Sequence, residues 1–269
     1  MKRETPSEGE PAGGPAPTTL VDVVFPGAVN HHGTLFGGAG LAFMDRVAFV
    51  AATRHGRVPF VTASCERVDI RKPAHIGEIV SFTAMPVWAG RRSLTVEVEM
   101  VAESILASER QVCTRGVFHM VAVPGADGGE GWTLPPLPTS HPTEADGEVR
   151  MADVVFADQT NSSGSMFGGD ALAFMTKAAF VAASRHSRRQ TVLASSERID
   201  FHYPIRLGSI VEVVARVVST GRSSMRIGVE LWSEELLTGL RRQTAKGLFV
   251  MVAVDAEHRP VEVIPDGIG

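Results

Sequence analysis

The chain contains one sequence pattern twice. Residues 22–123 and 153–254 align without a gap, at an offset of 131 positions. We name these segments copy one and copy two. A repeat of about a hundred residues is longer than a solenoid unit, which has roughly 20–50 residues. The repeat therefore predicts two domain-sized copies of one fold.

The segments outside the copies differ from them in composition. Residues 1–19 are rich in Pro, Gly and Glu and have no apolar core, which predicts a disordered tail and not a signal peptide. Residues 124–150 are dense in Gly, Pro and acidic residues, which indicates a linker. The predicted domains are therefore residues 20–123 and residues 151–265.

Each copy predicts a first strand, one long helix and a series of further strands. From Gly37 to His55 the chain is apolar nearly all round, which is typical of a buried helix, and Gly56 is the predicted C′ residue. The strand at Thr95–Met100 alternates with period two. A curled antiparallel sheet is the natural enclosure for such a helix. The predicted fold class is α+β, with two such domains paired as a pseudo-dimer.

Composition excludes several classes of protein. The net charge is −4 and the pI is about 6.1, so no basic field suggests nucleic acid. Cys65 and Cys113 face Ser196 and Thr244 in copy two, which argues against a shared disulfide or metal site. No apolar run reaches the roughly 18 residues of a membrane span. We expect a cytoplasmic protein without a metal, a cofactor or a membrane anchor.

The two copies differ at one position that points to chemistry. After the shared Leu-Ala-Phe-Met, copy one has Asp45 and copy two has Thr176. Asp45 lies seven residues after Gly38, about two turns of roughly 3.6 residues, and so returns to the same helix face. A carboxylate among apolar neighbours is a candidate general base or nucleophile, and both roles stay open. The alternative is an ion pair with Arg46 or with another cation at the domain interface.

The start of each helix offers free backbone donors. Gly37 and Gly38, like Gly168 and Gly169, place N–H groups at the positive end of a helix dipole, with no side chain in the way. Such donors can bind a developing oxyanion. Tight packing of helix against sheet is the alternative reason for these glycines.

The ordered series of motifs resembles a known family. Asn-x-x-Gly-x-x-Phe-Gly-Gly-x-x-Leu-x-x-Met-Asp opens the helix, and Pro-x-x-x-Gly, Gly-Arg-x-Ser and Phe-x-Met-Val-Ala-Val follow. The series resembles hotdog-fold acyl-CoA thioesterases, and most closely the tandem double-hotdog acyl-CoA hydrolases. The resemblance covers most of residues 20–265. It implies hydrolysis of acyl-CoA to a fatty acid and CoA, and a homo-oligomer that is a trimer of double-hotdog chains.

The resemblance also assigns roles across the two copies. In the family, an asparagine of one hotdog meets the acidic residue of its partner hotdog. Carried over, this implies one working site per chain, with Asp45 facing Asn161. Thr176 would face Asn30 in a degenerate site. A turn-forming role is the alternative for either asparagine.

Cations and hydroxyls suited to the CoA phosphates occur in turns of both copies. Solvated turn charge is the alternative for all of them. The candidates are Arg91, Ser93, Arg222, Ser224, Arg67, Arg198 and Lys246.

Two other functions fit the same fold. One is a non-catalytic acyl-CoA binding or sensing protein, although no added regulatory segment is evident in the sequence. The other is a hotdog dehydratase or hydratase, which would need a histidine placed with Asp45, and the helix shows no such pair.

Overall fold

The structure is a computed structural model that describes residues 17–123, 132–137 and 147–263. Copy one contains β1 (Thr18–Val23), α1 (Gly37–Gly56), β2 (Phe60–Cys65), β3 (Ile79–Ala89), β4 (Ser93–Glu103) and β5 (Arg110–Ala122). Copy two contains β6 (Glu148–Val154), α2 (Gly168–Ser187), β7 (Gln190–Ser196), β8 (Asp200–Phe201), β9 (Ile210–Thr220), β10 (Ser224–Glu234) and β11 (Arg241–Val254). The predicted order of a first strand, one long helix and a series of further strands is confirmed in both copies.

The elements begin slightly outside the predicted domains. β1 begins at Thr18, two residues before the predicted domain, and β6 begins at Glu148, inside the predicted linker. Within residues 132–137 of that linker, Leu134 is buried in the core of copy one. The rest of the predicted linker, and residues 1–16 of the predicted tail, lie outside the described residues.

Each copy is a curled antiparallel sheet around one helix. The strand order is β1-β3-β4-β5-β2 in copy one and β6-β9-β10-β11-β7 in copy two, with β8 paired to β11. Each helix packs against all five strands on the main path of its sheet. Met44, Val47, Ala48 and Ala51 are buried at this contact, because a helix apolar on most sides has to be enclosed. The predicted α+β fold is confirmed.

The end of α1 differs from the prediction. Gly56 is the last helical residue, and the left-handed position is Arg57, with φ of 51°. This conformation is unfavourable for a side chain with a Cβ, but the guanidinium of Arg57 bonds to Glu234 of copy two at 2.6 Å. Gly56 has a packing role instead, since a Cβ there would lie 2.7 Å from the Phe60 ring.

The copies pack as a pseudo-dimer with reciprocal contacts. Arg54, near the end of α1, donates hydrogen bonds of 2.8 Å to Glu212 and Glu234 of copy two. Arg185, the corresponding residue of α2, donates a bond of 2.9 Å to Glu103 of copy one. Contacts that are returned in this way are typical of an isologous two-fold interface, so the predicted pairing is confirmed.

Candidate active site

Asp45 lies on α1 with its side chain toward the edge strand β2. The Thr62 hydroxyl donates a hydrogen bond of 2.6 Å to Asp45 Oδ1. Cys65 also lies nearby on β2, where burial and the negative charge of Asp45 raise the pKa of its thiol. The ion pair with Arg46 considered above is not formed, because Arg46 bonds to Asp153 of copy two at 3.2 Å. The structure thus presents an oriented, half-buried carboxylate.

The corresponding positions in copy two carry neither the carboxylate of Asp45 nor the hydroxyl of Thr62. Thr176 donates its hydroxyl to the backbone carbonyl one turn earlier in α2, at 2.8 Å. The strand position of Thr62 is occupied by Leu193. Leu193 lies opposite Met251, as Thr62 lies opposite Met120. Neither Thr176 nor Leu193 can accept a proton near neutral pH, so this pair cannot replace Asp45 and Thr62.

The helix starts retain free donors in both copies. The N-cap residue Phe36 makes no side-chain cap, and the N–H groups of Gly37 and Gly38 have no hydrogen-bond partner among the described residues. A Cβ on Gly38 would lie 2.6 Å from the Phe36 ring, whereas one on Gly168 or Gly169 would meet nothing within 4 Å. Tight packing therefore explains why residue 38 is a glycine, but it explains neither Gly168 nor Gly169.

The two asparagines form similar turns but differ at the side-chain nitrogen. Each Oδ1 accepts two backbone N–H groups, at 2.8 and 3.3 Å for Asn30 and at 2.9 and 3.2 Å for Asn161. Gly33 and Gly164 close these turns with φ of 73° and 67°, which favour glycine. Asn30 Nδ2 donates to Thr34 Oγ1 at 2.9 Å. Asn161 Nδ2 has no such partner within the described part of the chain and is free to donate.

The loop that carries Asn161 meets α1 beside Asp45. Arg46 follows Asp45 directly, and its guanidinium carbon lies 4.7 Å from the centre of the Phe156 ring. Phe156 precedes Asn161 by five residues in copy two. The helix of Asp45 and the loop of Asn161 therefore belong to one contact region between the copies.

The first group of candidate CoA ligands lies far from the helix start. Arg91 and Ser93 belong to the β3–β4 turn, and Ser93 lies opposite Val121 of β5. Phe60 lies opposite the next residue of β5 and packs beside Gly56 at the end of α1. Since a helix of 20 residues spans about 30 Å, this turn is distant from the Gly-Gly donors of its own copy.

The other candidates are exposed except Ser224, which is half-buried, and several are paired. The ion pairs are Arg67 with Asp69 at 2.9 Å, Arg198 with Asp200 at 2.9 Å and Arg222 with Glu262 at 3.2 Å. Lys246 lies opposite Asp200 in the β8–β11 pair, and Ser224 begins β10. Exposed pairs of this kind contribute little stability, so a phosphate can replace the carboxylate.

Sequence reasoning missed Thr62. It lies 17 positions from Asp45, and only the curl of the sheet brings the two together. A signal was nevertheless present, because Asp45 and Thr62 are both replaced in copy two, by Thr176 and Leu193. Positions that change together between the copies are candidates for one site.

The described residues contain no candidate metal site and no candidate membrane-spanning helix. No three His, Cys, Asp or Glu side chains among them are grouped to hold a metal ion. None of the helices in this part of the chain is long and apolar enough to cross a membrane.

Comparisons with known proteins fix the family. The profile of the thioesterase superfamily matches residues 32–108 and 163–239, once in each copy. The chain belongs to the thioesterase superfamily. It is similar to the crystal structure of an acyl-CoA hydrolase from Agrobacterium tumefaciens, with 61% identity and a TM-score of 0.86, over 94% of this chain and 100% of that one.

Relatives of this family member are known from bacteria and mammals. An uncharacterized acyl-CoA thioester hydrolase of Zymomonas mobilis is 34% identical over 47% of this chain and 85% of its own length. The cytosolic acyl coenzyme A thioester hydrolase of mouse is 21% identical over 91% of this chain and 76% of its own length. The resemblance to tandem hotdog acyl-CoA hydrolases is confirmed.

Proposed function

We propose that the protein hydrolyses acyl-CoA to a fatty acid and CoA, at one working site per chain between the two copies. The observation that carries this proposal is the hydrogen bond from Thr62 to Asp45, at a place where copy two has Leu193 and Thr176. Membership of the thioesterase superfamily and the similarity to the Agrobacterium hydrolase support the substrate class.

Asp45 supplies the base or the nucleophile. As a base, it takes a proton from water while the water oxygen attacks the thioester carbonyl carbon; the C–S bond then breaks and the proton held by Asp45 passes to the sulfur, so that CoA leaves as a thiol. As a nucleophile, its carboxylate displaces CoA and forms an anhydride that water cleaves. Both routes use the carboxylate to which the Thr62 hydroxyl donates its hydrogen bond. An acyl adduct on Asp45 in acid-quenched protein, seen by mass spectrometry, would select the second route.

The remaining groups hold the thioester. Asn161 donates from its free Nδ2 to the thioester oxygen or to the attacking water. The N–H groups of Gly37 and Gly38 offer further donors for the charge that develops on oxygen, where donors already in place lower the barrier most. Of the phosphate ligands proposed above, Arg67 is the one at the helix-start end of copy one, since Ile70 approaches Gly37 there.

We further propose that chains associate as homo-oligomers, with a trimer as the preferred form. Exposed apolar side chains recur at corresponding positions of both copies, and large exposed apolar surfaces are typical of interfaces. The pairs are Phe36 and Phe167, Leu41 and Leu172, Val61 and Val192, Ile70 and Phe201, Ile76 and Leu207, and Val87 and Val218.

We also propose a cytoplasmic location. The name of the mouse relative, cytosolic acyl coenzyme A thioester hydrolase, supports it.

The direct test is release of free thiol from acyl-CoA of increasing chain length. We expect the purified protein to release CoA and Asp45→Asn to lose at least about 100-fold in kcat, as is typical when a general base is removed. Thr176→Val is the matched control and is expected to stay within about twofold of wild type, since Thr176 offers no base. Acyl-CoA binding without thiol release would identify a binding or sensing protein instead.

A further inference from the structure

The loop before α2 is braced in a way that its counterpart in copy one is not. The Phe156 N–H donates to Gln159 Oε1 at 3.0 Å, and the Gln159 N–H donates back to the Phe156 carbonyl at 3.1 Å. Copy one has Ala28 at the position of Gln159, so only the backbone bond from Ala28 to Phe25 is present, at 3.0 Å. The brace therefore belongs to the loop that carries Asn161.

The braced segment is continuous with Asn161. The Gln159 carbonyl accepts the N–H of Phe167, the residue before α2, at 2.9 Å. The Asn161 N–H donates to the Ser165 carbonyl at 2.8 Å, which closes the turn. Phe156, Asn161 and the start of α2 thus form one hydrogen-bonded unit. A contact that fixes Phe156 also sets the position of Asn161.

Arg46 is the contact that fixes Phe156 against α1. Its guanidinium carbon lies 4.7 Å from the Phe156 ring centre and 5.5 Å from that of Phe43. Its Nη1 donates to both oxygens of Asp153, at 3.2 and 3.4 Å. Because Arg46 follows Asp45 in α1, this contact links the carboxylate of one copy to the asparagine loop of the other.

The corresponding contact at the degenerate site has a different chemistry. Lys177 takes the place of Arg46 and bonds to Asp22 at 2.7 Å. Within the described residues no cation lies over the ring of Phe25, the counterpart of Phe156. In the described residues, the ion pair at this contact is therefore not accompanied by a cation over an aromatic ring. Of these two corresponding contacts, as far as the described residues show, only the one beside Asp45 includes stacking by a planar guanidinium, which lysine cannot reproduce.

We propose that Arg46 is a positioning residue, which holds the Asn161 loop against Asp45 by stacking on Phe156, with Gln159 as the brace of that loop. The inference rests on the proposed hydrolysis at Asp45. Arg46 joins α1 to the loop and carries no proton in the reaction.

The first test replaces Arg46 with the residue of the other copy. Arg46→Lys keeps a cation for Asp153, as Lys177 does for Asp22, and loses the stacking. We expect kcat to fall about tenfold, because small displacements of a binding group have large effects on rate, with KM and the midpoint of thermal unfolding nearly unchanged. Lys177→Arg, the matched control, is expected to leave kcat within twofold of wild type. A wild-type kcat in Arg46→Lys would overturn the proposal.

A double-mutant cycle tests whether Arg46 acts through Phe156. Phe156→Leu removes the ring and keeps an apolar side chain. If the contact carries the effect, Arg46→Lys changes kcat little in the Phe156→Leu background, since coupled residues are not additive. Fully additive losses, or a fall in kcat that only follows a fall in stability, would assign Arg46 a structural role instead.

A matched pair of variants tests the brace formed by Gln159. Gln159→Ala, which copies the residue of copy one, is expected to lower kcat severalfold, while Ala28→Gln leaves it unchanged. Asp45→Asn tests the proposed hydrolysis at Asp45 separately from the positioning role of Arg46. If that variant stays active, the proposed site is wrong; if it is inactive while Arg46→Lys is fully active, only the positioning role is wrong.

Discussion

Copy one and copy two have the same arrangement of one helix and a curled sheet. They differ in the side chains at the corresponding positions of the proposed site. Copy one places Asp45 and Thr62 together, and copy two has Thr176 and Leu193 at those positions. The asparagine turns differ in the opposite direction, since the free side-chain nitrogen is that of Asn161 in copy two. One copy thus retains the carboxylate and the other the available amide, which is the pattern expected if one composite site was kept after duplication.

The ion pairs at the interface also differ between the copies. Neutralising a buried carboxylate there is expected to have the largest effect, a loss of stability. Arg185 has Glu103 as its carboxylate partner, whereas Arg54 has both Glu212 and Glu234. Glu103→Gln is expected to lower the free energy of unfolding by about 3 kcal/mol, since it removes the negative charge that the half-buried Arg185 and Arg188 bind and a hydrogen bond to a charged group is worth roughly 1.5–3 kcal/mol. Glu234→Gln is expected to lower it less. Urea unfolding at pH 7 measures the free energy of unfolding of both variants. Equal losses would contradict the proposed difference between the two sets of ion pairs.

The next effect concerns the asparagines. Asn161→Ala is expected to lower kcat/KM at least about 100-fold, as loss of one preorganised donor does in other hydrolases. Asn30→Ala is expected to stay within about twofold. Thiol release under saturating and limiting acyl-CoA compares them. Equal losses in the two variants would contradict a single site per chain.

Thr62 gives a smaller effect. Thr62→Val removes the hydroxyl at nearly constant volume, and hydrogen bonds to charged groups are worth roughly 1.5–3 kcal/mol. We expect kcat to fall about tenfold or more. Leu193→Thr, the reciprocal change in copy two, is expected to leave kcat unchanged, and the same assay serves both. A loss in Leu193→Thr as large as in Thr62→Val would show that the copies are not divided as proposed.

Rebuilding the second site gives an effect of at most about twofold per chain. The double variant Thr176→Asp with Leu193→Thr restores both partners in copy two. In an Asp45→Asn background, any recovered activity is expected to require Asn30 and not Asn161, because the pairing crosses the interface. Turnover that depended on Asn161 would contradict that pairing.

The smallest effect is a difference in acid stability. Although burial opposes ionisation, Arg54 and Arg241 hold the pKa of Glu212 below its usual 4.5. A lowered pKa in the folded state means that Glu212 stabilises the protein fully above about pH 4.5 and that this contribution disappears as the pH falls below it. Glu212→Ser, which copies Ser81 of copy one, is expected to show a shallower loss of stability between pH 5 and 3, measured by urea unfolding. An identical slope would contradict this role.

The repeat and the helix pattern could be predicted because they depend on residues close in sequence. α1 matches the predicted segment to within one residue, and α2 begins and ends at the corresponding positions of copy two. The irregular parts were missed where distant contacts decide. The β-branched and apolar stretch at residues 60–70 does not form one strand, because β2 ends at Cys65 after a register shift near Thr62. Arg57 takes the left-handed position in place of Gly56 because Glu234, from the other copy, binds its side chain.

The sequence by itself determined the fold class, the duplication and the loss of the carboxylate at Thr176, since periodicity and aligned identity carry that information. Only the tertiary structure decided what Asp45 touches. The curl of β2 brings Thr62 to it, and the packing of the copies turns Arg46 away from Asp45 and onto Phe156. These contacts depend on the relative placement of elements far apart in the chain, which no local pattern specifies.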